Sequence, residues 1–180
     1  MSRTSSKLIA ATATAAVIAV AIGTALAAQD KYSLKVPGGG LAFSDFKGYE
    51  SWQTIAVSQT GNTIEVILGD PAMIAAYAAG SGVGGKTFPD GVRMAKIHWN
   101  KKQMSRAPAP TTVPDTLHDV DFMMKDSKRF TAGHGWGYGE FDYDAKADSF
   151  KPLGTGANCG VSCHELAKST DYVFTAYGKR

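Results

Sequence analysis

The sequence predicts an α+β protein that is mainly β, ending in a helix near the C-terminus. Three observations carry this. Short runs rich in β-branched and aromatic residues recur along the chain, Gly, Pro and Asn punctuate them, and helical spacing lasts only briefly. At 180 residues the chain allows one domain with a sizeable core once a targeting segment is set aside.

Met1 to Lys7 carries Arg3 and Lys7, Leu8 to Ile22 is apolar and alanine-rich, and Ala25-Leu26-Ala27 supplies a small-x-small pattern. Residues 1–27 are therefore predicted as a signal peptide, cleaved after Ala27. The rival is an uncleaved anchor, since Leu8 to Ala28 is long enough to span a bilayer. Thr12, Thr14, Thr24 and the alanines make that run only weakly hydrophobic, which favours cleavage, a periplasmic mature protein and no membrane partner. The 19 Lys and Arg stand against 16 Asp and Glu, nearly even once Arg3 and Lys7 are removed, so no nucleic-acid partner is implied.

Residues 28–47, with Gly38-Gly39-Gly40 in the middle, show no sustained periodicity and are expected as a tether or N-terminal arm ahead of a domain over 48–180. Ser51 to Val57 and Thr63 to Leu68 read as two strands of a hairpin turning at Gly61-Asn62. Asp70 is placed to cap a short helix that has Pro71 in its first turn and Gly80 after its end. Phe88-Pro89-Asp90-Gly91 is a turn, because proline presets φ and glycine accepts positive φ.

Val92 to Trp99 follows as a strand with Val92, Met94, Lys96 and His98 on one face and Arg93, Ala95, Ile97 and Trp99 on the other. Ala107 to Pro114 is expected as a proline-broken loop. Asp119 to Lys125 is a strand with Asp119, Asp121 and Met123 on one face, and Trp136 to Tyr143 is a further, glycine-laced one. From Asn158 a helix is expected, and Tyr172, Val173, Phe174 and Tyr177 give an apolar ending able to pack on a sheet.

Both cysteines of the chain fall in Cys159-Gly160-Val161-Ser162-Cys163-His164. Two thiols separated by two residues reach the two vinyl groups of one haem, and the adjacent imidazole then lies under the iron. A zinc site would need a second pair of ligands at matching spacing. A thioredoxin-like pair would belong early in a βαβ unit, and a disulfide across so short a loop would add little stability. The motif predicts one covalent haem c per chain, held by Cys159 and Cys163 with His164 on the iron. Export agrees with this, since bacterial cytochrome c maturation takes place outside the cytoplasmic membrane.

The series Gly48-Tyr49-Glu50-Ser51-Trp52, Val66-Ile67-Leu68-Gly69, Phe88-Pro89-Asp90-Gly91, Met94-Ala95-Lys96-Ile97-His98-Trp99, Val120-Asp121-Phe122-Met123-Met124-Lys125-Asp126-Ser127-Lys128 and Gly135-Trp136-Gly137, closing on the haem motif, resembles the cytochrome P-460 family, which includes the cytochromes c′-β. The resemblance covers the chain from about Lys47. It implies a mainly antiparallel sheet with a few helices, a homodimer, and a five-coordinate haem whose distal side is open. Two chemistries are implied as alternatives. P-460 members oxidise hydroxylamine with a lysine-modified haem and a proton-moving carboxylate, whereas c′-β members bind nitric oxide or other diatomics under an aromatic cap.

Lys96 is matched to the cross-linking lysine, with Lys86 as second candidate. Asp121 or Asp119 would supply the carboxylate, with Glu140 third. The case for Lys96 presupposes burial, which would make its amine easier to deprotonate. Hydroxylamine oxidation is placed slightly ahead of gas binding, whose cap would come from residues such as Phe88 or Phe122. An electron-transfer cytochrome, the third reading, would need a sixth ligand from His98, His118, His134, Met94, Met123 or Met124. An electron-accepting cytochrome is the further partner of the enzymatic reading.

Overall fold

The computed structural model describes residues 28–38, 40–106, 108–153 and 156–179, with 156–159 described by their backbone alone. The signal peptide expected over residues 1–27 lies outside the described residues. Among the described residues, no helix is long and apolar enough to cross a membrane.

Six strands form one antiparallel sheet whose spatial order repeats the chain order: β1 (Gln53–Thr60), β2 (Thr63–Gly69), β3 (Arg93–Met104), β4 (Thr111–Lys125), β5 (Trp136–Asp144) and β6 (Ser149–Pro152). The β1–β2 hairpin closes with Thr60 opposite Thr63, so Gly61-Asn62 is the turn the sequence predicts. Helix α1 (Pro71–Ala78) is capped by Asp70, whose Oδ1 accepts the Met73 N–H at 2.8 Å. The Asp70 carboxylate also accepts from Arg93 Nε at 3.0 Å, tying the cap to the start of β3. Gly91 takes φ +93°, as the turn before β3 requires.

The two faces of the sheet are covered by different ends of the chain. On one face Leu68, Ala95, Ile97, Val120, Phe122, Phe141 and Phe150 pack beneath Phe43, Phe46 and Tyr49 from the N-terminal segment. Phe43 is central, with its ring 4.9 Å from Phe141, 5.0 Å from Phe150 and 5.2 Å from Phe122. On the other face Ile55, Ile67, Met94, Trp136 and Tyr138 meet α1, Phe88, and Tyr172 and Val173 from the C-terminal segment. Helix α2 (Gly156–His164) lies against β5 on this second face, and a 3-10 helix, Glu165–Thr170, follows it directly.

Residues 28–47 are thus a packed arm and not a tether. The signal missed is a spacing of three: Phe43, Phe46 and Tyr49 share a side because Phe43–Phe46 and Tyr49–Ser51 are 3-10 turns. The expected loop over Ala107 to Pro114 is also shorter than predicted. β3 continues to Met104 and β4 begins at Thr111, where the pair forms a ribbon beyond the rest of the sheet. Pro114 fits there because β5 pairs with β4 only from Asp119 onward, leaving one side of β4 without a ladder. β6, only four residues long and ending on Pro152, was too short to stand out by alternation.

Candidate functional site

The alternation of β3, β4 and β5 assembles the site. On the face toward α2, Lys96 stands opposite Asp121, and Asp121 opposite Glu140, so an amine and two carboxylates form one cross-strand row. Ile67 precedes Lys96 in that row, and the neighbouring row holds Glu65, His98, Asp119 and Asp142. Above the first row lies a cavity of about 700 Å³, within the usual range for a cofactor pocket. Ile67, Met94, Met123, Tyr138 and Val173 give it apolar walls, while Lys96, Asp121, Glu140 and Glu65 bring charge, and Cys163 and His164 close it from α2.

His164 is held in one tautomer. Its Nδ1 lies 2.6 Å from the Tyr172 carbonyl oxygen, which can only accept, so Nδ1 carries the proton and the Nε2 lone pair is free for a metal. Burial pushes the imidazole below its ordinary pKa, against the opposing pull of that hydrogen bond, which favours the neutral ligand form. The Tyr172 carbonyl is placed by a left-handed turn, with φ +53° at Asp171 and +65° at Tyr172. Asp171 is fixed in turn by the buried Lys125, whose Nζ donates to Oδ1 at 2.9 Å and Oδ2 at 3.0 Å, and by the Phe88 N–H at 2.8 Å. The Lys125–Asp171 pair joins residues 46 apart, and nothing local in the sequence announces it.

The attachment motif has a further constraint at its second position. A Cβ on Gly160 would lie 2.4 Å from Cγ of Tyr138, so glycine lets α2 sit directly on β5. Tyr138 also faces the His164 ring, with centroids 4.8 Å apart. Cys163 is exposed at the cavity; Cys159 belongs to the segment described by backbone alone. Together these features fit a haem: an apolar cavity, an imidazole with a free Nε2, and a thiol one residue from it.

Lys96 lines the cavity. Its side chain is 36 % exposed, and its Nζ lies 3.8 Å from Oε2 of Glu65. Glu65 is the functional candidate the sequence reading missed. It is fully buried, and although burial pushes its carboxyl up, hydrogen bonds from Ser58 and Thr63 and the Lys96 ammonium hold it below the usual carboxylate range. A signal existed: Glu65 is the one charged residue in the otherwise apolar or β-branched run Thr63 to Leu68. Glu140 shifts the other way, raised by burial and by the neighbouring Asp121, Asp119 and Asp142 carboxylates.

Of the remaining candidates, Asp119 is buried one row from the cavity, outside its lining, and Lys86 is exposed and donates to the Ala79 carbonyl. His98 is engaged with Asp121 at 3.1 Å, His118 with Asp119, and His134 with Glu165 at 2.5 Å, and none of the three lines the cavity. Met94 and Met123 do line it, whereas Met124 packs on the opposite face. Phe88 packs on Tyr77 and Trp136, and the Phe122 ring stacks on Phe46 at 4.1 Å on the arm side, so neither ring caps the cavity.

The cytochrome P460 family model matches residues 46–175 of this chain. No curated protein matches it. The matched span contains all six strands, every residue lining the cavity except Ala176, and the Cys159 to His164 motif.

Proposed function

The chain belongs to the cytochrome P460 family, whose cofactor is a haem, and from that premise we propose that it is an exported, periplasmic c-type cytochrome that oxidises hydroxylamine or a related small nitrogen compound. One observation carries the reading: Lys96, Asp121 and Glu140 form a single cross-strand row on the wall of the cavity that His164 also lines. In this reading Cys159 and Cys163 hold one haem by thioether bonds and His164 Nε2 is its protein ligand. When bound, the haem supplies the iron that takes up electrons from the substrate. An electron-accepting cytochrome then removes them, and the protein works as a homodimer.

Each residue of the row has a task set by its chemistry. Lys96 would present its amine to the haem edge, and the Glu65 carboxylate beside it fixes where that amine sits. Asp121, half-buried at the cavity edge, takes a proton from the bound substrate. Glu140, raised toward protonation by its surroundings, stands next in line to exchange protons with Asp121. The Tyr172 carbonyl and the Lys125–Asp171 pair behind it keep His164 oriented throughout. A gas-binding protein would want an apolar cap; Phe174 lines the cavity with its ring 5.0 Å from that of His164, but the charged row of Lys96, Asp121 and Glu140 on the wall favours the enzymatic reading.

The test is hydroxylamine turnover with an artificial electron acceptor, together with the optical spectrum of the ferrous protein. The wild type should turn over and show a strongly red-shifted Soret band. Lys96→Ala should lose both, while changing stability by about 1 kcal/mol or less because the side chain is partly solvated. A high-spin spectrum without the shift, accompanied by reversible nitric oxide binding and no turnover, would replace this reading by the gas binder.

A further inference from the structure

Beside the cavity, His98 and Asp119 are left without a role by the proposed reaction, and they cluster with Asp121. His98 on β3 and Asp119 and Asp121 on β4 project from the same face. His98 Nε2 is 3.1 Å from Asp121 Oδ2 and 3.5 Å from Asp119 Oδ1, and the three atoms lie within 4.8 Å of one another. Bonds of about 2.1 Å to a tetrahedral ion place ligand atoms about 3.4 Å apart, so these separations need only small side-chain rotations to close on one centre.

An independent observation points to a ligand. Asp119 is only 5 % exposed, and its Oδ1 is buried without a hydrogen-bond partner, while its Oδ2 is committed to His118. A buried carboxylate oxygen left unpaired is costly unless a cation or donor meets it. The surroundings deepen the need: Glu140 stands opposite Asp121, Asp142 opposite Asp119 and Glu65 opposite His98, so five carboxylates share two adjacent rows with Lys96 and His98.

We propose that His98 Nε2, Asp119 Oδ1 and Asp121 Oδ2 form a site for a divalent first-row transition ion of the Zn²⁺ or Mn²⁺ kind, distinct from the haem iron. One imidazole and two carboxylates suit such ions better than Ca²⁺ or Mg²⁺, which take oxygen ligands alone. Binding exchanges the proton on His98 Nε2, now shared with Asp121, for the metal, and releases it to solvent. The fourth position is left for water. The alternative trio of His118, Asp119 and Asp142 is less suited, because His118 is half exposed and already holds the Asp119 oxygen that would have to turn. The site shares Asp121 with the proposed reaction, so occupancy would withdraw that carboxylate from proton transfer.

The experiment uses tag-free, haem-loaded protein, in which Cys159, Cys163 and His164 are engaged by the cofactor. Zn²⁺ affinity is measured by competition with a chromophoric chelator, and zinc per haem by elemental analysis after gel filtration. One zinc per chain is expected, with affinity at least tenfold weaker in Asp119→Asn and in His98→Gln and less than threefold weaker in His118→Gln. Far-UV circular dichroism and the haem spectrum establish which variants are folded, and His98→Gln carries the test where Asp119→Asn fails to fold. Absence of stoichiometric zinc, unchanged affinity in the folded variants, or a loss in His118→Gln as large as in His98→Gln would each overturn the assignment.

Discussion

Between Ala95 and Lys96, adjacent in β3, the sheet passes from a face where burial is complete to one where an ammonium lines a cavity. On the arm face, aromatic rings pack edge to face around Phe43, and the buried residues of the cluster are apolar except for the tyrosine hydroxyl of Tyr49. On the cavity face, apolar packing is confined to one end, around Met73, Met94 and Trp136, and the other end is given over to carboxylates, histidine and lysine. The difference teaches how one thin sheet divides its work: the arm side supplies packing energy, and the opposite side holds groups that would be costly in a core.

If that division holds, the largest loss of stability should come from the arm side. Phe43→Ala removes the ring at the centre of the cluster and should cost about 3–5 kcal/mol in urea unfolding, while leaving the haem spectrum of the folded fraction unchanged. Asp171→Asn is the sharpest test of the boundary, because the cavity side owns one strong structural contact. The substitution keeps a residue that tolerates positive φ but leaves Lys125 buried without its counter-charge, and should cost about 3 kcal/mol. Unlike Phe43→Ala it should also disturb the His164 ligation seen in the optical spectrum. An Asp171→Asn protein with an unaltered spectrum would break the link drawn from Lys125 to the iron ligand.

Smaller effects refine the comparison. Gly160→Ala forces a methyl group into Tyr138 and should cost about 1–3 kcal/mol, with a lower yield of attached haem on expression. Smallest of all is the alkaline response. Burial raises the phenol of Tyr49 on the arm face and of Tyr77 on the cavity face, so the neutral form is favoured by folding. Their contribution is complete below the ordinary tyrosine pKa near 10 and is lost as pH rises above it, because the unfolded chain then ionises first. Tyr49→Phe should therefore be nearly neutral at pH 8 and should flatten the loss of stability measured between about pH 10 and 12. An unchanged slope would assign the alkaline loss to other groups.

The sequence was legible wherever the signal is local or periodic. Asp70-Pro71 gave the helix start, Gly61-Asn62 the hairpin, and the period-2 alternation grouped Lys96 with Met94 and His98 in β3 and Asp121 with Asp119 and Met123 in β4, leaving the register to join the two groups. What escaped depends on how residues are brought together by the fold. The Lys125–Asp171 pair, the Tyr172 carbonyl on His164 and the hydroxyls around Glu65 arise from tertiary placement or strand register, which residue types alone do not encode.

The plain meander of the sheet has a consequence for the order of events in making this protein. Each strand pairs with the one before it, so most of the ladder closes over short loops, which is the fast kind of topology. The contacts that fasten the ends come from far away: Gln29 with Phe150 across 121 residues, and Phe88 with Asp171 across 83. The sheet can therefore assemble before the last segment docks, and the Asp171–Lys125 pair then acts as a latch that holds this segment against the cavity.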